Sequence, residues 1–275
     1  MQADQQIPTE KKQDVTYLRD DQYRDASNLN ARVRLHVLYS TNLTRWPVWV
    51  FDQLSLKSGM RVLECGCGPG WLWRENLDRI PADCQVTLTD FSSGMIAESK
   101  AALAGTKLDF AFREADITAL PFPDDSFDVV VANHMLYHVV DRPKALNVVR
   151  RVLADNGRFY AATNGKDHLR ELRQLYQRFM PEIPGATSFF DTSFSLENGR
   201  SQLETTFPTV KLLTYPDSLE VTEVQPLLDY ILSSSEMRAT LSSAALVKIE
   251  DYVNQTIRQR GAFHITKSSG LFVAS

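Results

Sequence analysis

Val62-Leu63-Glu64-Cys65-Gly66-Cys67-Gly68-Pro69-Gly70 is the stretch whose reading decides the fold. Met60 to Leu63 is apolar apart from Arg61 and reads as a strand, with Glu64 as an acid at its exit. Gly66, Gly68 and Gly70 free the following backbone for positive φ and close ligand approach. A helix is expected from Trp71. Alternating glycines between an apolar run and a helical pattern are more specific than glycines elsewhere, although such a turn can also be purely structural.

Outward from this turn, strands and helices alternate as in a parallel sheet: strand 61–65, helix 71–79, strand 85–90, helix 93–104, strand 108–113. Phe127 to Ala132 is a continuous Val-rich run, as expected for a strand buried on both faces. A helix over 142–154, a strand 157–163 opened by Asn156-Gly157 and a helix 166–180 follow. Residues 181–208, with Pro181, Pro184, Gly185, Phe189, Phe190 and Phe194, read as an insertion over the substrate side. A strand 209–215, helices across 222–259 broken near Ser233, and a last strand 262–274 interrupted at Ser269-Gly270 bring the count to seven strands. The expected fold is α/β, a Rossmann-like sheet with helices on both faces.

Upstream, residues 1–14 are polar and read as a disordered tail, and 15–58 as an N-terminal helical lid on the domain 59–275. A helix over 27–39 carries Leu29, Val33 and Val37 on one stripe and Asn28, Arg32 and His36 on the next, a polar stripe that suits a ligand or solvent equally. Residues 45–56, with Trp46, Pro47, Trp49, Val50 and Phe51, form a second helix.

The chain has 275 residues, of which 43% are hydrophobic and 23% charged, and a net charge of −4, enough for one large α/β core without a basic stripe for nucleic acid. Three cysteines, two of them one residue apart, argue against a disulfide framework. No signal-peptide pattern and no run of membrane-spanning length is visible. A cytoplasmic monomer or homodimer, without nucleic acid or membrane insertion, is expected.

In open α/β sheets ligands bind at the carboxyl ends of the strands. Asp90 closes the second strand about 20 residues past the turn, the spacing of an acid that accepts from ribose hydroxyls. Asp116 follows the third strand and can accept from an adenine amine; Asn133 and His134 follow the fourth. One strand-end acid is often only a helix cap, but four strand ends each carrying a polar residue are harder to dismiss.

With these residues the chain resembles the class I S-adenosylmethionine-dependent methyltransferases, in particular the ubiquinone- and menaquinone-biosynthesis group (methyltransferase type 11). The resemblance rests on Glu64 to Gly70, Asp90, Ala115-Asp116-Ile117, Leu120 to Val130 and Asn133 to Val139, and covers about residues 60–165. It implies S-adenosyl-L-methionine as cofactor and an antiparallel last strand. It also implies cofactor contacts: Glu64 with Gly66, Gly68 and Gly70 at the methionine part, Cys67 among the binding residues of the same turn, Asp90 at the ribose, Phe91 on an adenine face, Asp116 and Ile117 at its edge. Asn133 would contact the methionine part through its backbone, and Arg32 is added from the polar helix stripe.

The rival ligand is a dinucleotide. A nicotinamide oxidoreductase would carry a third glycine where Trp71 stands, and Pro69 removes an amide that a phosphate would use. A nucleoside binder without chemistry is the other alternative. Metal is not expected: the cysteines lack a completing histidine, and Met135 follows His134 where a zinc hydrolase needs glutamate.

Methyl transfer from a sulfonium to an O, N or C nucleophile of a small molecule is an in-line displacement whose leaving group departs neutral. Orientation then supplies about 7–11 kcal/mol. A base is needed only if the acceptor must lose a proton, and His134, Tyr137 and His138 are the candidates. An ordinary imidazole pKa of about 6.5 would let His134 take that proton near neutrality.

Overall fold

The computed structural model describes residues 27–181 and 193–275. Its centre is a seven-stranded sheet of β1 (Arg61–Cys65), β2 (Gln85–Asp90), β3 (Asp109–Glu114), β4 (Phe127–Asn133), β5 (Leu153–Asn164), β6 (Val210–Tyr215) and β9 (Ser269–Ala274), in the order β3-β2-β1-β4-β5-β9-β6. The first five strands pair in parallel, while β9 runs antiparallel to both β5 and β6. The order reverses between β1 and β4, which opens a crevice beyond their carboxyl ends.

Alternation of side chains across the pleat explains why the Val-rich run occupies the middle. Val130 and Ala132 enter the core on one face, Val129 and Val131 the core on the other. On the first face pack α5 (Arg142–Val152) through Ala145, Leu146 and Val149, and the segment carrying Phe194, Leu203 and Phe207, which includes α7 (Gly199–Leu203). On the second face pack α2 (Trp46–Leu54) through Val50, Phe51 and Leu54, α3 (Trp71–Arg74) through Leu72 and Trp73, and α4 (Ser93–Ala102) through Ile96.

A third core lies apart from the sheet and forms a cap. It joins Leu35 of α1 (Ser27–Tyr39), Leu172 and Leu175 of α6 (Arg170–Phe179), β7 (Ser218–Val221), α8 (Val224–Leu232), α9 (Ser235–Thr240), α10 (Ser243–Arg260) and β8 (Phe263–Thr266). β7 and β8 make a separate antiparallel pair, and a Ser40–Leu219 bridge ties the end of α1 to β7. The expected lid therefore divides: α1 belongs to the cap, α2 to the sheet's core.

Several element bounds differ from expectation for local reasons. The strand expected over 262–274 is two strands in two sheets, parted at Lys267-Ser268 and not at Ser269-Gly270, and β7 had no sequence counterpart. The helix from Trp71 ends at Arg74, because the Asn76 side chain donates to the Leu72 carbonyl (2.7 Å) and the chain continues as a single tight turn over Leu77–Arg79. The helix expected from 166 starts at Arg170, after Leu169 in a left-handed conformation (φ 54°). Pairing of β5 already begins at Leu153, with a register shift before Arg158. The break near Ser233 is present, and a second one follows, where Ser242 caps α10.

The tail 1–14, the start of order at Val15, and Pro184, Gly185, Phe189 and Phe190 of the expected insertion lie outside the described residues. The described part of that insertion, 193–208, packs on the sheet and reaches the site through Ser193, whose hydroxyl donates to the Tyr137 carbonyl (3.1 Å), and Leu196, whose amide donates to the Asn164 carbonyl (3.1 Å).

Candidate active site

A cavity of 840 Å³ lies between the carboxyl edge of the sheet and the cap. All thirteen candidates line it: Glu64, Gly66, Cys67, Gly68, Asp90, Phe91, Asp116, Ile117, Asn133, Arg32, His134, Tyr137 and His138.

The glycine turn has the backbone that its sequence suggests. Gly66, Gly68 and Gly70 have φ of 68°, 53° and 75°. A Cβ on Gly66 would strike the Met135 side chain at 2.9 Å, so Gly66 is required by packing. A Cβ on Gly68 would meet only Leu29 Cδ2, at 3.9 Å; the space beside Gly68 is cavity. The turn is held from β2: the Cys67 amide donates to the Thr89 carbonyl (2.9 Å), and the Gly68 amide to Asp90 Oδ2 (3.0 Å). The other oxygen of Asp90 accepts the Ser92 amide (2.9 Å). Burial raises the Asp90 pKa against these two bonds.

Glu64 is buried and accepts from Trp73 Nε1 (2.7 Å). Burial, partly offset by that bond and reinforced by Asp90, pushes its carboxyl up to about 8. Burial likewise pushes the Cys65 thiol up to about 12 and Cys67 well above its usual range, so both stay protonated and unreactive. Asp116 caps the turn Ile117–Ala119 by accepting the Thr118 amide (2.8 Å), a structural role at a residue that also lines the cavity.

After β4 the chain turns through His134 in a left-handed conformation (φ 57°). Its ring lies 4.9 Å from that of Trp46, which in turn makes an edge contact with Tyr215 (5.2 Å) and donates its Nε1 proton to Asn133 Oδ1 (3.1 Å). Burial, then the charge of Lys267, pushes the His134 imidazole down to about 4, so it is neutral at pH 7 and does not titrate there, contrary to the value of about 6.5 expected for an ordinary histidine. Tyr137 and His138 follow in one tight turn with their rings 4.5 Å apart.

Asn164, His168, Tyr215, Tyr230, Lys267 and Ser269 also line the cavity and were not among the sequence candidates. Asn164 ends β5 and falls under the same strand-end rule as Asp90. Ser269 begins an antiparallel strand, which brings it to the same edge, and its hydroxyl donates to Asn164 Oδ1 (2.7 Å). His168, Tyr230 and Lys267 come from the cap and its hinges, where no linear pattern marks them. Arg32 stands on α1 and donates its Nε proton to Ser233 Oγ (2.9 Å).

Among the described residues no group of three His, Cys, Asp or Glu is placed to hold a metal, and no helix is long and apolar enough to cross a membrane.

Residues 63–161 match the family model described as a methyltransferase domain. The chain is 34% identical over 136 residues to the ubiquinone/menaquinone biosynthesis C-methyltransferase UbiE of Paracoccus denitrificans, covering 49% of this chain and 54% of that enzyme. It is 33% identical over 153 residues to the malonyl-[acyl-carrier protein] O-methyltransferase of Enterobacter lignolyticus, covering 53% and 57%. The aligned stretches thus span little more than half the length of these relatives. In structure the chain is similar to phosphoethanolamine N-methyltransferase 2 of Haemonchus contortus, with a TM-score of 0.58, 18% identity, and coverage of 94% of this chain and 58% of that one. By the matched model and these relatives, the segment 63–161 is similar to methyltransferase domains, and the β3-β2-β1-β4-β5-β9-β6 order with its antiparallel β9 is the fold that carries it.

Proposed function

We propose that the protein is an S-adenosylmethionine-dependent methyltransferase acting on a small molecule held between the glycine turn and the cap. The observation that carries this reading is the open space at Gly68: the strand-end acids Glu64, Asp90 and Asp116 surround it, with no basic residue on the turn to receive a phosphate. Such a lining fits a cationic adenosyl ligand and disfavours a dinucleotide.

In this reading Glu64 and the glycine turn hold the methionine part, joined by Arg32 and the Asn133 backbone. Asp90 takes the ribose, and Phe91, Asp116 and Ile117 the adenine. Bound S-adenosylmethionine would supply an electrophilic methyl group on a sulfonium that leaves as a neutral thioether. Trp46, His134 and Tyr215 form the wall opposite and orient the acceptor. A neutral His134 with so low a pKa is a poor base but a serviceable hydrogen-bonding partner, so its role is positioning. Tyr137 and His138 remain the candidates for taking a proton where the acceptor carries one. The relatives' names include C-, O- and N-methyltransferases, so they leave the acceptor atom open, and the cap residues that line the cavity set it.

The test is calorimetric titration with S-adenosylhomocysteine and, in parallel, a reduced nicotinamide dinucleotide, followed by mass spectrometry of extracts supplied with S-adenosylmethionine. Binding of the first ligand only, with a product heavier by one methylene, is expected. Binding of the dinucleotide, or binding without product, would replace the proposal with one of the two alternatives.

A further inference from the structure

The two ends of the cavity differ in charge. Every acid that lines it comes from the carboxyl ends of β1 and β2, the turn after β3 or the residue that caps α5, whereas the cap side contributes Arg32, His36, His168 and Lys267.

Lys267 is the centre of that side. Its side chain is 7% exposed and pairs with Asp217 Oδ2, and the Asp217 side chain is fully buried. Asp217 is saturated, since it also accepts from Ser40 Oγ (2.7 Å) and from the amides of Asn42 (3.0 Å) and Ser218 (2.9 Å), and it does not line the cavity. Lys267 does line it, 5.3 Å from the centre of the Tyr215 ring. An ammonium has three donors, and Asp217 is the hydrogen-bond acceptor that Lys267 has among the described residues. A nearly buried ammonium with donors to spare favours an oxygen that carries negative charge. Two imidazoles stand beside it. His168 Nδ1 accepts the Ser268 amide (3.3 Å), which leaves the proton of the neutral ring on Nε2, and His36 stacks on His168 at 6.2 Å.

We infer that Lys267, flanked by His36 and His168, anchors the methyl acceptor through an anionic oxygen, so that the acceptors of this protein are small acids, carboxylic or phenolic. The inference rests on the methyltransferase reading for the word acceptor, but the anion site itself does not depend on cofactor binding. Burial first, and the charge of Lys267 after it, keeps His36, His134 and His168 neutral, with Asp217 opposing Lys267 at His36.

Titration with benzoate, nitrophenolate and neutral benzamide, each with and without S-adenosylhomocysteine, tests it. At least one anion should bind about tenfold or more tightly than benzamide, the size expected for a charge-assisted bond. Lys267→Met should erase that preference while S-adenosylhomocysteine still binds. Because this variant leaves Asp217 unpaired, Lys267→Met/Asp217→Asn is measured beside it and should behave alike. Which anion is preferred separates carboxylic from phenolic acceptors. Equal binding of all three probes, failure of all three to bind, or an anion preference that survives in both variants overturns the subsite. Loss of S-adenosylhomocysteine binding in the wild type, with anion preference intact, counts against the methyltransferase reading alone.

Discussion

The Gly68 amide donates to Asp90 Oδ2 over 3.0 Å, so the acid that ends β2 fixes the glycine turn that follows β1. Asp90 thereby has two tasks, shaping the turn and facing the ligand, and its variants should show both.

Asp90→Ala should weaken S-adenosylhomocysteine binding tenfold or more, since hydrogen bonds to a charged group are each worth about 1.5–3 kcal/mol and about 1.4 kcal/mol is one decade. It should also lower thermal stability, because the Gly68 and Ser92 amides lose their acceptor. Asp90→Asn, which keeps one oxygen, should fall between. Calorimetry and circular dichroism melts read the two effects; a variant that titrates like wild type would remove Asp90 from the ribose.

Substitutions at Gly68 and Gly66 should fail differently. Gly68→Val fills cavity space and should abolish cofactor binding, at a fold cost of about 1–2 kcal/mol for a side chain in the left-handed region. Gly66→Ala meets Met135 at 2.9 Å and should destabilise the fold more than its single methyl suggests. Melting temperatures set against binding constants separate the cases, and retained binding in Gly68→Val would make the turn merely structural.

Glu64 should make stability depend on pH. With its carboxyl at about 8 in the fold against 4.5 ordinarily, the folded protein keeps a proton that the unfolded chain releases, so this contribution is complete at low pH and is lost as pH rises from about 4.5 to 8. His36 and His134, pushed down to about 3 and 4, act in the opposite sense, but only below their ordinary 6.5. Between pH 6.5 and 8, where the histidine contributions fade, Glu64 should add a falling slope of at most about 1.4 kcal/mol per pH unit. Glu64→Gln, which still accepts from Trp73, should flatten it in urea titrations; an unchanged slope would contradict the assignment.

His134→Ala should lower turnover roughly 10- to 100-fold through misplacement of the acceptor, with cofactor affinity little changed. The wild-type rate should show no inflection from His134 between pH 5 and 8. Single-turnover profiles of both proteins decide: an inflection in wild type that disappears in the variant would restore His134 as a base.

Asp217→Ala should destabilise the protein by about 3–5 kcal/mol, the cost of stranding one member of a buried pair. Asp217 binds the chain after α1 as well as Lys267, so the cap should loosen from the sheet. Denaturant unfolding measures the loss, and a change under about 1 kcal/mol would mean the pair is solvated.

Sequence by itself determined the sheet and which residues its carboxyl edge brings to the cavity. The glycine turn, Asp90, Asp116 and Asn133 are legible because each lies within a few residues of a strand end, and strand periodicity says which edge that is. The Phe127–Ala132 run is legible because burial on both faces leaves four apolar residues in a row, Val129 to Ala132, after the half-buried Asp128 at its start. What only the tertiary structure decided is the acceptor side. Lys267 reads as one more surface lysine until β8 and β9 part at that residue and bring it to Asp217, 50 positions away. His36 and His168 meet only because α1 and the turn after β5 enter the same cap. The His134 pKa follows from burial against Trp46 and from Lys267, neither of which is its neighbour in sequence. Local patterns record which backbone a residue adopts, but the potential and solvation at a side chain are set by whatever the fold carries to it, and in this protein that comes from the far ends of the chain.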